Sequence, residues 1–387
     1  MEVQIESEYV VYNSSVVQAE MPPYSIMEDE DPLSQTFFNM SWIPYRGQLK
    51  VIETWEVTVK VMMYVIVILL AVFGNFVVMI IVWRNKRLRT TTNYYLVNLA
   101  VADLMVTCSC TWVHLVHDLT EGWVLGALFC KFNSFAQVLS LVCSILTLTV
   151  ISCDRFFGIV FAMKAHLTER RARTCIVAVW VCSIVVASPL LAYRQQFKRI
   201  WLNHTEIWCA DAWPPVINPA TFQIYHPSKT IYYSLATVLL FFLPIIVMSI
   251  AYSFVIWRLW SKRRPGERIE AGTVAQNKVK RKVVVMLVVL MAVFVGCWLP
   301  LQASILYSVF RHETHNQLPS WYDNFQYITT FLAYSNSALN PIIYAGFNEN
   351  FRIGFLLLFG VKRSLPKRSS VSWRRNSSFS ATMVTRI

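Results

Sequence analysis

Charge is scarce in this sequence. Only 15% of its residues are Asp, Glu, Lys or Arg, where a soluble chain carries about 25%. The run "FNSFAQVLSLVCSILTLTVI" at 132–151 has no formal charge, yet it leads directly into "SCDRFFG" at 152–158. No apolar stretch shows the period-two alternation of a barrel strand, which excludes a transmembrane barrel. There is no internal repeat or nested inverted symmetry of the transporter kind. Neither H-E-x-x-H nor G-x-S-x-G occurs, so the commonest hydrolase signatures are missing. No basic segment followed by a short apolar core opens the chain, so a cleaved signal peptide is not expected.

Apolar residues fill the space. They make up 56% of the chain, and the mean hydropathy is +0.45. Seven long apolar stretches occur at about 57–83, 94–117, 128–153, 175–193, 231–257, 283–309 and 325–345. Each approaches or exceeds the roughly 20 residues a helix needs to cross a bilayer. Unpaired backbone cannot sit in lipid, so helices are the expected spans. The prediction is an all-α membrane protein, a seven-helix bundle over 57–345. A tail precedes it (1–56), a short amphipathic juxtamembrane helix follows (346–360), and a regulatory tail closes the chain (361–387). The fourth stretch is shortest, and Pro189 near its end should bend or stop the helix.

A net charge of +13 would suit nucleic acid, but the charges are sorted by position. The segments between stretches one and two, three and four, and five and six, with the tail and Arg155, hold 26 of the 35 Lys and Arg. The loop from Arg258 to Lys282 is the longest of the three connections. By the positive-inside rule these segments are cytoplasmic and the N-terminus is extracellular. The basic excess is therefore a topology signal, and no nucleic-acid partner is expected. Residues 1–56 instead hold ten Asp or Glu. The sequons at Asn13, Asn39 and Asn203 fall on the outer side as glycosylation candidates, whereas Asn376 lies inside and stays bare.

Of nine Cys, only Cys130 and Cys209 sit at the outer face, where disulfides persist. A Cys130–Cys209 bridge is expected, and the other seven read as packed thiols.

Polar side chains inside apolar spans are costly and so mark candidate function. Asn75, Asp103, Ser144, Asn336 and Asn340 are of this kind. Asp103, Ser144, Asn336 and Asn340, with Asn75, could hold a small ion such as sodium, or form a watery hydrogen-bond network; spacing does not choose between them. Pro244, Pro300 and Pro341 interrupt stretches five, six and seven and should bend them. His114 and His117, near Asp118, have the spacing of a zinc pair without a third ligand set. Two rival classes follow from these groups: an ion-coupled transporter built on Asp103, and an intramembrane metal-dependent hydrolase.

"GN" at 74–75, "LAVAD" at 99–103, "WVLG" at 123–126 with Cys130, and "DRF" at 154–156 occur in order. Trp180, Pro244 with Tyr252, "CWLP" at 297–300 and "NPIIY" at 340–344 complete the series. Together they resemble the rhodopsin-like G-protein-coupled receptors over about 57–360. Two departures are Phe156, where most members have Tyr, and the lack of any Cys after Cys297. No cofactor is implied beyond an allosteric sodium ion.

The resemblance implies a receptor, not an enzyme, that turns extracellular peptide binding into activation of a heterotrimeric G protein. It implies that Asp154 latches Arg155 and holds the inner end of the third span closed against neighbouring helices. Arg155 is released on activation and supported by Tyr252 and Tyr344. Trp298 and Phe294 relay ligand contact to the bend at Pro300, with Asn340 and Pro341 completing the switch. Gln137 stands where amine receptors carry Asp, and Tyr334 where opsins carry Lys, so a neuropeptide fits better than an amine or retinal. Gln137, Trp298, Gln302 and Tyr334 would line its site. Glu206, Trp208 and Asp211 of the second outer loop would meet a peptide, with their charge favouring a basic one.

The helix "NENFRIGFLLLF" at 348–359 should rest on membrane lipid through Phe351, Phe355 and Leu358. Ser369, Ser370, Ser377 and Ser378 follow basic residues and suit receptor kinases, with arrestin as reader. The terminal "TRI" fits a PDZ ligand, with Thr385 and the Ile387 carboxylate docking.

Overall fold

The computed structural model describes residues 37–45, 50–161, 169–217, 219, 224–261, 271–315, 319 and 321–358. Seven long helices cross the molecule: α1 (Thr54–Arg84), α2 (Thr91–Leu119), α3 (Gly126–Ile159), α4 (Glu169–Tyr193), α5 (Pro227–Ser261), α6 (Ala271–His315) and α7 (Tyr322–Phe347). A shorter α8 (Glu349–Leu358) follows. The first six are long and apolar enough to span a bilayer. The 26 residues of α7 also suffice in length. Its apolar average is diluted by Thr329, Thr330, Asn336, Ser337 and Asn340, all turned inward and buried.

The helices are built inside out relative to a soluble bundle. In α1, Tyr64, Ala71, Asn75, Val78 and Val82 recur at helical spacing and are buried, while Ile66, Leu69, Phe73 and Phe76 face outward. Polar staples then set the register between helices. Asn98 on α2 donates to Thr147 on α3 at 2.8 Å and accepts from the Trp180 indole on α4 at 2.8 Å. Ser140 on α3 donates to the Ala102 carbonyl at 2.8 Å.

Two helices contain a widened π-type turn, Thr107–Thr111 in α2 and Val238–Phe242 in α5. The second lies just before Pro244, whose missing N–H and bulky ring disturb the preceding turn. Pro189 takes the first position of a new helical segment after Ser188, so α4 continues to Tyr193 instead of stopping. Of the expected basic loop from Arg258 to Lys282, the described residues 258–261 and 271–282 are helical. α5 runs to Ser261 and α6 begins at Ala271, as Ala, Gln, Lys and Arg are good helix formers.

At the end of the bundle where α3 begins, β2 (Arg194–Trp201) and β3 (Thr205–Asp211) form an antiparallel hairpin with Gln196 opposite Cys209. β1 (Phe37–Met40) adds to β2 in parallel. A small pair, β4 (Val216–Ile217) and β5 (Ile224–Tyr225), precedes α5. The hairpin replaces what the sequence suggested only as a long loop.

The amphipathic α8 is present, but its apolar face turns toward the protein. Phe351 is buried in the core, with Phe355 and Leu358 packed against that core. The physical reason is Gly354, where an added Cβ would lie 2.6 Å from Ile81 Cγ2, so the backbone of α8 rests directly on α1.

Candidate functional site

The outer mouth is set by the hairpin. Cys130 at the start of α3 is bonded to Cys209 on β3, with Cα atoms 5.7 Å apart. Trp123 N–H donates to the Ile207 carbonyl at 2.7 Å. Gly122 permits this approach: its φ is +74°, and an added Cβ would fall 2.4 Å from that same oxygen.

The loop carboxylates are already engaged. Asp211 meets Arg194 at 3.0 Å and Lys229 at 3.2 Å, and accepts from the Tyr233 hydroxyl at 3.4 Å. Glu206 lies 3.6 Å from Arg199 and 3.4 Å from the Trp201 indole N–H. A basic peptide would have to displace these partners. Trp208 stacks on Phe197 with centroids 5.6 Å apart. Trp213 is buried against Tyr193 at 4.3 Å, so it packs the loop.

Below the mouth, Gln137 is half-buried on α3. Gln302 on α6 accepts from Thr237 on α5 at 3.0 Å, and both are buried. Trp298 is buried with Phe294 6.1 Å away between centroids. Tyr334 is buried edge-on to His114 at 5.8 Å. His114 bonds through Nδ1 to the Tyr64 hydroxyl at 2.5 Å and stacks on Tyr327 at 5.4 Å. His117 instead lies against Trp123 at 5.7 Å. Asp118 holds Lys60 at 2.6 Å. The two histidines thus serve different neighbours. Among the described residues, no group of three or more His, Cys, Asp or Glu has the arrangement of a metal site.

Midway down, Asn340 Nδ2 donates to Asp103 Oδ2 at 2.8 Å. Asn75 Nδ2 donates to the Ala71 carbonyl at 2.9 Å and the Ser337 carbonyl at 3.0 Å. Ser144 on α3 and Asn336 on α7 are also buried. The Oδ1 atoms of Asn75 and Asn336 are buried without a hydrogen-bond partner. A carboxylate, amide oxygens and a hydroxyl are the hard donors a small cation prefers, so the residues fit such an ion.

At the inner end of α3, Arg155 donates to Asp154 Oδ2 from Nε at 3.0 Å and also from Nη2. The pair lies within one helix, and among the described residues no ion pair joins Arg155 to a neighbouring helix. What meets the neighbour is Phe156, which packs edge-on against Phe254 of α5 at 6.0 Å and against Phe161 at 5.5 Å. Tyr252 and Tyr344 are buried in the core, Tyr344 against Phe351 at 5.9 Å.

Sequence reasoning passed over Asn98, Lys60 and Tyr64, although Asn98 and Lys60 carry the same signal as Asp103, a polar group in an apolar run. Of the glycosylation candidates, exposed Asn203 accepts from Tyr45 N–H at 2.8 Å through Oδ1. Asn39 lies in β1 opposite Ile200. Asn13, Ser369, Ser370, Ser377, Ser378, Thr385 and Ile387 lie outside the described residues.

The family described as "7 transmembrane receptor (rhodopsin family)" matches residues 74–344. Among curated relatives, the chain is 30% identical to the substance-P receptor of Rattus norvegicus, over 83% of this chain and 76% of that protein. It is 30% identical to the tachykinin-like peptides receptor 86C of Drosophila melanogaster, over 90% and 67% respectively. It is 32% identical to the neuromedin-K receptor of Oryctolagus cuniculus, over 79% and 62%. The chain belongs to the rhodopsin family of seven-transmembrane receptors. It is a multi-pass membrane receptor, not a transporter or an enzyme.

Proposed function

We propose that this member of the rhodopsin receptor family is a plasma-membrane receptor for an extracellular neuropeptide, signalling through a heterotrimeric G protein. The observation that carries the ligand class is similarity along most of the chain to receptors whose names specify substance P and tachykinin-like peptides. Gln137 in place of a counter-ion for amines and Tyr334 in place of a retinal lysine support it. A finer reading rests on "DRFFGIVFAMKAH" (154–166) and "NHTEIWC" (203–209). These resemble the trissin receptors of arthropods and point to a cysteine-rich peptide.

In this reading the N-terminus is extracellular, glycosylated at Asn13, Asn39 and Asn203, and the C-terminus is cytoplasmic. The peptide enters past Glu206, Trp208 and Asp211 and reaches Gln137, Gln302, Tyr334 and Trp298. Trp298 and Phe294 pass the contact to the bends at Pro300 and Pro341. Asp154 then lets Arg155 swing toward the G protein, with Tyr252, Tyr344 and Asn340 settling behind it. A sodium ion at Asp103, Ser144, Asn336 and Asn340 favours the resting arrangement. Phosphorylation at Ser369, Ser370, Ser377 and Ser378 recruits arrestin, and the terminal Thr385–Ile387 segment offers a PDZ ligand.

The test is a peptide library on cells expressing the full chain, read with promiscuous G-protein reporters. Activation by a disulfide-containing peptide that is lost on reduction supports the finer reading. Activation by linear tachykinin-like peptides keeps the class and replaces the finer reading. Surface-expressed receptor that answers amines or lipids and no peptide overturns the proposal.

A further inference from the structure

At the inner end of α1 and α2 the outer wall of the bundle is concave. A groove of about 520 Å3 is lined by Phe76, Ile80 and Trp83 of α1, Tyr94 and Val97 of α2, and Arg89 of the connection between them. That volume is within the range of small-molecule sites, about 300–1,000 Å3. Apolar residues alone say nothing here, since every span presents them to lipid. Concavity combined with a fixed cation does. Trp83 and Phe76 are 74% and 50% exposed, so the groove opens to the membrane. Arg89 Nη2 donates to the Trp83 carbonyl at 2.6 Å, which caps the last turn of α1 and pins the guanidinium at the end of the groove.

The charge around it has one sign. Arg84, Lys86 and Arg87 precede Arg89, and no Asp or Glu occurs between 57 and 102. Among the described residues, no carboxylate pairs with Arg84, Lys86 or Arg89. By the charge bias this end faces the cytoplasmic leaflet, whose lipids are anionic, and basic pockets between helices on that side take lipid head groups. A sterol would fill an apolar groove equally well but has no use for the row of cations.

We propose that this groove binds one anionic phospholipid of the inner leaflet, an acyl chain along Phe76, Ile80, Trp83 and Val97 and the phosphate on Arg89, with Arg84 and Lys86 behind it. The site needs only that the helices be membrane-embedded, so it stands or falls independently of the peptide.

The test is native mass spectrometry of the purified full chain, titrated with phosphatidylserine, phosphatidylcholine or cholesterol. The wild type should retain phosphatidylserine in preference to phosphatidylcholine. Arg89→Gln should weaken that binding about fivefold, the worth of one basic residue at an anionic surface, and Arg89→Lys should keep most of it. Ile80→Trp fills the groove with the charge unchanged and should also reduce it. Because Arg89 caps α1, the double variant Arg84→Gln/Lys86→Gln, which leaves the cap intact, should show a loss as well. Arg173→Gln, 75% exposed on α4, serves as the distant control. Equal binding by all variants overturns the proposal. So does a matching loss in Arg173→Gln, which would mean diffuse charge. Selective loss of cholesterol from Ile80→Trp, with phosphatidylserine unchanged, would make the occupant a sterol and also overturn it.

Discussion

Asn340 on α7 reaches across the core to Asp103 on α2, donating from Nδ2 to Oδ2 at 2.8 Å, and both side chains are buried. On the other flank of α7, the Ser337 carbonyl accepts from Asn75 of α1. The seventh helix is thus tied by amides to two partners at one depth. Asn340→Leu takes one donor from a buried carboxyl and leaves it the Ser337 hydroxyl alone. The expected cost is about 1–3 kcal/mol, read as a lower thermal midpoint of the purified receptor. An unchanged midpoint would mean that the bond contributes nothing net.

If sodium occupies the Asp103 site, it stabilises by mass action whichever state binds it. Raising NaCl at constant ionic strength, with KCl as the balance, should raise the midpoint of the wild type and leave Asp103→Asn unmoved. A sodium effect that persists in the variant would locate the ion elsewhere.

Asp154→Asn removes the partner that holds Arg155 within α3. Basal nucleotide exchange should rise several-fold, because each 1.4 kcal/mol taken from the latch shifts the populations tenfold. Arg155→Gln should leave basal exchange low and weaken agonist-driven exchange. If both variants match the wild type in both assays, the pair is only a static ornament of the helix.

Gly74 stands where an added Cβ would lie 2.7 Å from both Cβ and Cγ of Pro341. The ring is fixed to its backbone and cannot swing aside, so Gly74→Ala must separate α1 from α7. Overpacking of this kind costs about 1–3 kcal/mol. Surface expression and thermal midpoint should both fall, and more so in Gly74→Val. Gly296, with nothing within 4 Å of its added Cβ, is the control.

Asp211 binds Arg194 and Lys229 together. Asp211→Asn should free both cations, raising the potency of an acidic peptide several-fold while costing a basic one less than about tenfold, or 1.4 kcal/mol. Potency measured across peptides of graded charge decides it. A loss well beyond tenfold confined to basic peptides would mean that the carboxylate faces the ligand directly.

The sequence determined the seven spans, because a helix that crosses lipid must be written as a long apolar run whatever its neighbours are. It also marked Asp103, Asn340 and the Asp154–Arg155 pair, since a polar group in such a run is costly enough to stand out. Cys130 and Cys209 were legible for a related reason: of nine thiols, the topology expected from the charge bias left only those two on an oxidising side, and they are bonded.

Tertiary structure decided the rest. Strand pairing in the outer hairpin depends on a partner segment that alternation within one strand does not name. The partners of Asp211 and Glu206 come from β2 and α5, so a carboxylate that looks open in sequence is occupied in space. Phe351 turns into the core, with Phe355 and Leu358 half-buried beside it, because Gly354 lets α8 lie against Ile81. An apolar face has the same pattern whichever surface it meets, and only the shape of the neighbouring helix chooses between them.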